Sequence, residues 1–322
     1  ADGKVDYNTS DATPLFPIAL KSYIKAFGNV ALLSELKDNI YRIFEFYKKN
    51  KNDDGFVYSQ RYSTWMDTLE REGYCIEVQA FWQKALEALS DFFEILEDEK
   101  NSKEAYQLSK MLKTNIFKKF AKGKYFIDRI NNYDIETINP LFLLAFGLTE
   151  RKDLLKYIEE NFETEVGLTT VSRNSSYYDP NIYHYGSSWG HLIALLSLVQ
   201  FRKNKIEKAL DNLRKIYVKS QEHALNCIPE VWDSESGSLY VNKPYGIEIS
   251  SLIQTWGAAT VLRAIDEVLG IEVDAPRNVI KISPKIEGVF KRTLKIGEDI
   301  VELDISFKES KIEANYKSKL NK

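Results

Sequence analysis

Residues 75–97 read CIEVQAFWQKALEALSDFFEILE, and this stretch is the clearest sign of the fold class in the sequence. Its apolar residues recur every three or four positions, which places them along one face of an α-helix. The stretch therefore predicts a long, strongly apolar helix. The residues of its apolar face are Val78, Phe81, Trp82, Ala85, Leu89, Phe92, Phe93 and Leu96.

The same spacing on both sides of this stretch predicts a mainly α-helical protein. Asn101 and Glu104 resemble a capping box, which would open the next helix. With the stretch at 75–97 the pattern gives nine helices, and the other eight cover about 13–28, 31–50, 101–120, 138–148, 151–161, 187–203, 205–224 and 248–269.

The connections between these helices are of two kinds. Those at 28–30, 98–101 and 204–205 are tight, whereas those at 51–74, 162–186 and 225–247 are long and rich in Tyr, Trp, Asp and Ser. Long loops that are not of low complexity tend to carry function. Short turns at one end and long loops at the other predict a ring of antiparallel helix hairpins with one working face.

The pattern changes near residues 274–276, beyond which apolar residues alternate with period two. Such alternation on both sides of a Gly-Glu-Asp turn at 297–299 predicts antiparallel strands. We therefore expect a helical domain at 1–273 and a small antiparallel β appendage of three or four strands at 274–322.

Composition excludes several classes of protein. The 322 residues carry a formal net charge of -3, which gives no footprint for nucleic acid or an anionic membrane. No apolar run approaches the length of about 18 residues that a membrane helix needs. Cys75 and Cys227 could pair, but two free thiols in a reducing cytoplasm are the favoured interpretation. His184 and His191 have no convincing third ligand, so neither a metal nor a cofactor is expected.

Two acidic residues stand in similar settings far apart in the chain. Asp67 ends the tetrapeptide TWMD at 64–67, and Glu230 lies within IPEVW at 228–232. Each is predicted on a loop between helices and has aromatic neighbours. Sugar hydrolysis needs such a pair, because one acid protonates the leaving oxygen while the other activates a water molecule. The alternatives are a surface Asp beside a buried Trp and an ordinary Glu next to a helix.

The two acids need different environments. A general acid requires a raised pKa, which partial burial among rings would give Asp67, and the nearby Glu70 and Glu72 would act in the same direction. Glu230 would be an ionised general base, about 6.5–9.5 Å from Asp67 if the reaction inverts the anomeric carbon.

Two further segments are candidates for sugar contacts. The loop YHYGSSW at 183–189 offers rings as platforms, with Ser187 or Ser188 as N-cap of the following helix. Its alternative interpretation is a core Trp189 and a turn-capping His184. In DYNTSDAT at 6–13, Asp11 either caps the first helix or contacts substrate.

These segments together resemble the glucosidase domain of glycogen-debranching enzymes and the microbial glucoamylases. The resemblance rests on six motifs in the same order: YNTSDA at 7–12, TWMD at 64–67, IEV at 76–78 with FW at 81–82, YHYGSSW at 183–189, PE at 229–230 and QTWG at 254–257.

The resemblance implies an (α/α)6 toroid and an inverting exo-α-glucosidase that releases glucose from glycogen-like α-glucans. It implies Asp67 as the acid and Glu230 as the base. The substrate contacts that we expect are Tyr7, Asp11, Trp65, Glu77, Tyr183, His184, Trp189, Trp232, Gln254 and Trp256.

The chain departs from the family pattern in ways that bear on specificity and completeness. The family's Trp-Pro-Trp is replaced by Trp189-Gly190-His191, and an early Gly-Arg-Asp segment is absent. In the family the barrel has twelve helices, and the acid loop joins the fifth and sixth. Two helices are predicted before Asp67, so the first helix here corresponds to number four. We therefore expect a toroid that lacks its first helices and either pairs with a missing N-terminal portion or self-associates.

Two alternative functions remain open. The chain could bind sugar without turning it over in the absence of its N-terminal portion. It could also be a non-enzymatic array of helical hairpins that binds peptides or proteins. Such arrays repeat every 34–47 residues or so, and no such period is visible here.

Overall fold

The computed structural model describes residues 8–130, 135–222, 226–243 and 246–318, with the backbone alone at 247–249. Tyr7, one of the predicted substrate contacts, lies outside the described residues. The helices are α1 (Ala12–Phe27), α2 (Leu32–Glu35), α3 (Lys37–Asn50), α4 (Ile76–Ile95), α5 (Glu99–Phe120), α6 (Leu141–Ala145), α7 (Lys152–Phe162), α8 (Gly190–Arg202), α9 (Ile206–Glu222) and α10 (Thr255–Val268).

Two helices form the centre of the helical part. Helix α4 packs against α1, α5 and α6, and α8 packs against α6, α9 and α10. Both are buried over most of their length, since α4 and α8 carry apolar or small residues around nearly their whole circumference. Helices α5, α7 and α9 bury one stripe and present charged side chains outward. An inner and an outer layer of helices result.

Helices α1 and α10 are each covered less completely than α4 and α8. On α1, Phe16 and Tyr23 are 39% and 43% exposed, and on α10, Trp256 and Leu262 are 36% and 50% exposed. Both helices therefore present apolar side chains to solvent. Within the described residues no helix combines the length and the apolar character needed to cross a membrane.

Several helix ends differ from the sequence-based prediction. The helix expected at 31–50 breaks at Leu36, where φ is -95° and ψ is 9°. Asp98, rather than Asn101, caps α5, because its carboxylate accepts a hydrogen bond from the Asn101 amide. The helix expected from residue 248 begins only at Thr255, since 246–249 forms a strand.

The strands are short in the helical part and longer near the C-terminus. They are β1 (Tyr74–Cys75), β2 (Ala121–Lys122), β3 (Tyr125–Phe126), β4 (Arg129–Ile130), β5 (Ser188–Trp189), β6 (Val231–Trp232), β7 (Tyr240–Lys243), β8 (Gly246–Ile249), β9 (Ile271–Asp274), β10 (Val279–Ile282), β11 (Gly288–Ile296), β12 (Asp299–Lys308) and β13 (Lys311–Ser318).

Strands β11, β12 and β13 form the expected antiparallel sheet, with Leu294 opposite Val301 and Leu303 opposite Tyr316. The hairpin β9–β10 spans residue 274, and the division of the chain at 273/274 stays a prediction.

The sheet is attached to α10 by charged contacts. Arg292 donates two hydrogen bonds to the carboxylate of Asp266, at 2.9 and 3.3 Å. Lys285 binds Glu267 at 2.9 Å and also donates to the carbonyl of Phe201. Apolar residues of β11 and β12 belong to the same core as the helices.

Candidate active site

Asp67 lies on the loop between α3 and α4, and a buried ionic cluster lies beneath this loop. Arg71 donates to both carboxylate oxygens of Glu77 at 2.7 and 2.8 Å, and to both of Asp128 at 2.9 Å. All three side chains are at most 2% exposed. A buried arginine between two carboxylates fixes geometry strongly, because every donor has a defined acceptor.

The cluster is linked to the residues just before Asp67. The remaining Arg71 hydrogen bond reaches the hydroxyl of Thr64 at 2.9 Å. Asn139 donates to Asp128 and accepts from the indole nitrogen of Trp65, at 3.0 and 2.9 Å. Thr64 and Trp65 are therefore fixed by hydrogen bonds to the buried cluster, and this cluster is a rigid support for the loop that carries Asp67.

The surroundings of Asp67 raise the pKa of its carboxyl group. Its side chain is 66% exposed, and partial burial raises its pKa, as do the charges of Glu230 and Asp11. A hydrogen bond from its own backbone amide and the charge of Lys243 act in the opposite direction. The contribution expected from Glu70 and Glu72 is replaced by these groups, because Arg61 pairs with both.

Glu230 is held on the loop that follows α9. The hydroxyl of Tyr183 donates to one carboxylate oxygen at 2.6 Å, and the amide of Ser251 donates to the other at 3.2 Å. The ammonium of Lys243 lies 3.9 Å from Glu230 and 5.0 Å from the centre of the Tyr183 ring. Two donors and one cation therefore fix the direction of this carboxylate.

A short strand pair joins the two loops that carry Tyr183 and Glu230. In it Ser188 pairs with Trp232 and Trp189 with Val231. The predicted cap by Ser187 or Ser188 is wrong, because α8 begins after Trp189 and the Ser187 hydroxyl donates to the carbonyls of residues 182 and 183. The strand pair takes the place of a side-chain cap.

Aromatic rings surround Trp65. Its ring contacts those of Trp189, His191 and Trp256 at centroid distances of 5.7, 5.3 and 6.3 Å. His191 stacks on Trp256 at 4.0 Å. The Asp67 loop, the start of α8 and the start of α10 therefore meet at one aromatic cluster, and Val231, next to Glu230, pairs with Trp189 of this cluster.

His184 supports the acid loop from inside. Its side chain is 1% exposed, and its Nδ1 atom accepts hydrogen bonds from the amide and hydroxyl of Thr68 at 3.3 and 2.8 Å. Burial holds the pKa of His184 well below its ordinary value, so the ring is neutral. The same Nδ1 lies 3.8 Å from a carboxylate oxygen of Asp67.

Asp11 occupies the N-cap position of α1, but its side chain makes no capping hydrogen bond to the described residues. Its carboxylate instead accepts from the hydroxyl of Thr9 at 2.9 Å, and its charge reaches Asp67. The capping hydrogen bond is therefore not formed, and the Asp11 carboxylate stays available for other contacts.

The other predicted contacts divide into two groups. Trp65, Tyr183, Gln254 and Trp256 are partly or fully exposed near the acids. Glu77, His184, Trp189 and Trp232 are buried within the protein. Glu77 binds Arg71, and the Trp232 indole donates to the carbonyl of Val166. In this structure the buried four shape the loops rather than face a ligand.

Sequence reasoning missed the residues that hold the acids in place. Arg71 stood between two glutamates in a predicted loop, which is a usable sign of a buried ion pair only when the fold is known. Asp128 and Asn139 gave no signal, because they lie far from both acids along the chain, and Lys243 gave none because it belongs to none of the six motifs.

Several solved structures of similar fold are those of glycosidases. A GH78 family rhamnosidase of Bacillus sp. GL1 has a TM-score of 0.71 at 13% identity, over 96% of this chain and 32% of that one. A sialidase has a TM-score of 0.71 at 14% identity, over 93% and 30%. A GH63 mannosylglycerate hydrolase from Thermus thermophilus, in complex with glucose, has 0.63 at 11%, over 82% and 76%. The chain spans about a third of the first two.

The fold is thus one that the chain shares with these glycosidases. Residues 1–263 match the model of the amylo-alpha-1,6-glucosidase family, and the chain belongs to that family. This confirms the family resemblance read from the six motifs. No curated protein sequence matches the chain.

Proposed function

We propose that the chain is an inverting exo-α-glucosidase that acts in the cytoplasm on glycogen-like α-glucans, with Asp67 as acid and Glu230 as base. One observation carries this proposal: Trp65, two residues before Asp67, contacts the ring of Trp189, and Trp189 pairs with Val231, which directly follows Glu230. Carboxylates on two loops are thus brought to one aromatic cluster, and burial together with the charges of Glu230 and Asp11 raises the pKa of Asp67, as a general acid requires.

The proposed reaction uses each carboxyl group once. Protonated Asp67 donates its proton to the glycosidic oxygen as the bond to the anomeric carbon breaks. Glu230 accepts a proton from the water molecule that attacks the anomeric carbon from the opposite face. Tyr183 and Ser251 direct the Glu230 carboxylate, and exchange with solvent then restores both protonation states.

The test compares Asp67→Asn and Glu230→Gln with Glu70→Gln, an exposed acid on the same loop. Glucose release from panose and maltotriose should fall by several orders of magnitude in the first two variants and stay near wild type in the third. Proton NMR of the first product should show β-glucose. Activity retained by Asp67→Asn would remove that residue from the acid role.

A second candidate is a domain that binds α-glucan without turning it over alone. The apolar side chains exposed on α1 and α10 favour it, because these two helices are covered less completely than the inner helices α4 and α8. We propose that helical segments that are not part of this chain cover these exposed side chains. Wild-type protein that binds maltose but releases no glucose would support this candidate, whereas a dimer in light scattering would indicate self-association instead.

A further inference from the structure

A cleft of about 240 Å³ lies beside the acid loop, between the chain before α1, the end of α3 and residues 57–63. The amides of Asn8, Asn50 and Gln60 and the rings of Phe46 and Tyr58 are among its walls. None of the described residues that line it carries a charge. A neutral lining of amides, hydroxyls and rings fits an uncharged ligand that is rich in hydroxyl groups.

Both rings are held in place while remaining open to solvent. Phe46 is 46% exposed, and its ring stacks on the buried ring of Trp82 at 6.1 Å with an angle of 18°. Tyr58 is 45% exposed, and the ring of Tyr74 meets it edge-on at 5.7 Å. A flat, pre-positioned ring can receive the C–H face of a pyranose without losing side-chain freedom.

The polar wall is also ordered, and it is connected to the acid. The side chain of Asn50 donates to the carbonyl of Phe46 at 2.7 Å, which fixes the direction of its amide. The backbone amide of Ser10 donates a hydrogen bond to the carbonyl of Ser63 at 2.7 Å, and the hydroxyl oxygens of the two residues are 2.6 Å apart. Because Ser63 precedes Asp67 by four residues, the cleft wall lies within about 14 Å of the acid along the chain.

We propose that this cleft is a second sugar site, which binds a glucose unit of the same α-glucan chain that the acids cleave. The identity of the sugar rests on the proposed function, whereas the cleft itself rests on its own rings and amides. An α-glucan whose end lies at Asp67 must continue beyond the acids to reach this cleft, so the site should add more affinity for long chains than for maltotriose. Glycogen and maltotriose should therefore respond differently to its removal.

The kinetic test uses Phe46→Ala, Tyr58→Ala and Gln60→Ala. KM for glycogen should rise about tenfold for each ring variant, with kcat on maltotriose within about twofold of wild type. Tyr106→Ala is the matched control, because this tyrosine is 52% exposed on α5 and is not among the cleft residues. Unchanged KM for glycogen in both ring variants would overturn the proposal.

A binding test separates the cleft from the chemistry. Maltoheptaose is titrated calorimetrically into Asp67→Asn protein with and without Tyr58→Ala, and the double variant should bind about tenfold more weakly. Equal affinity overturns the cleft even if hydrolysis proceeds as proposed. Hydrolysis that survives Asp67→Asn overturns the proposed function, while the titration still decides the cleft. Circular dichroism of each variant identifies any loss of folding.

Discussion

Replacing Arg71 with methionine should destabilise the protein strongly, although Arg71 is not among the proposed catalytic residues. Its guanidinium donates five hydrogen bonds, four to the carboxylates of Glu77 and Asp128 and one to Thr64. Methionine keeps the bulk of the side chain and removes every donor. Two carboxylates that are at most 2% exposed would then lack their cation.

The magnitude follows from the burial of the partners. Removing one member of a buried ion pair costs about 3–5 kcal/mol, because the remaining charge is uncompensated. Burial raises the pKa of Glu77, and the charge and hydrogen bonds of Arg71 oppose this. Without Arg71 the pKa of Glu77 rises further, so the folded variant takes up a proton that the unfolded chain does not hold.

The pH dependence follows in sign. A carboxyl group whose pKa is raised in the folded state stabilises the protein below its unfolded pKa, and this stability is lost as pH rises through the folded pKa. The deficit of Arg71→Met relative to wild type should therefore be largest at pH 8 and should shrink towards pH 5.

Urea denaturation followed by tryptophan fluorescence and circular dichroism measures this deficit. Arg61→Met is the control, since Arg61 makes exposed ion pairs with Glu70 and Glu72, and it should cost less than about 1 kcal/mol. A loss below about 1 kcal/mol in Arg71→Met, or an equal loss at both pH values, would refute the reasoning.

Three further predictions concern single side chains. Tyr183→Phe removes the 2.6 Å hydrogen bond to Glu230 and should lower kcat about ten- to hundredfold with little change in KM; steady-state kinetics on maltotriose check this, and unchanged kcat contradicts it. Asp11→Asn removes a charge that raises the pKa of Asp67, so the basic limb of the kcat/KM profile should move to lower pH; a limb that stays in place rules this out. Among the described residues neither ring nitrogen of His191 has a hydrogen-bond partner, and burial lowers its pKa from 6.5 to about 3. His191→Leu should therefore raise the free energy of unfolding by about 1 kcal/mol at pH 7. This stability advantage should grow as pH falls from 6.5 towards 3, because only wild type must then keep a buried imidazole neutral. Thermal denaturation at pH 7 and pH 5 measures both effects.

The sequence was sufficient to locate most of the helices. Periodicity located α4 within two residues, because a long helix buried over most of its surface carries a strong pattern. The start of α10 was wrong because Gly246–Ile249 pairs with β7, and a four-residue strand has too little periodicity to be distinguished from a helix. The motif at 64–67 drew attention to Asp67 directly, and its role as the acid stays a prediction.

The supports of the acids could not be predicted in the same way. Asp128 reaches Arg71 across 57 residues, and Tyr183 reaches Glu230 across 47. Such contacts depend on how the helices pack, which no local pattern encodes. His184 shows the limit most clearly: its motif suggested contact with sugar, whereas its ring is buried against Thr68.

The attachment of the β sheet to α10 links the C-terminal strands to the proposed active site. The guanidinium of Arg292 binds the carboxylate of Asp266 on α10. The same helix begins with Thr255 and Trp256, which lie near the acids. The C-terminal strands are thus fixed to the C-terminal half of α10, while its first turn, with Trp256, borders the proposed active site. We expect a protein shortened before β11 to lose this attachment, and the activity proposed for Asp67 and Glu230 to fall although both residues are unchanged.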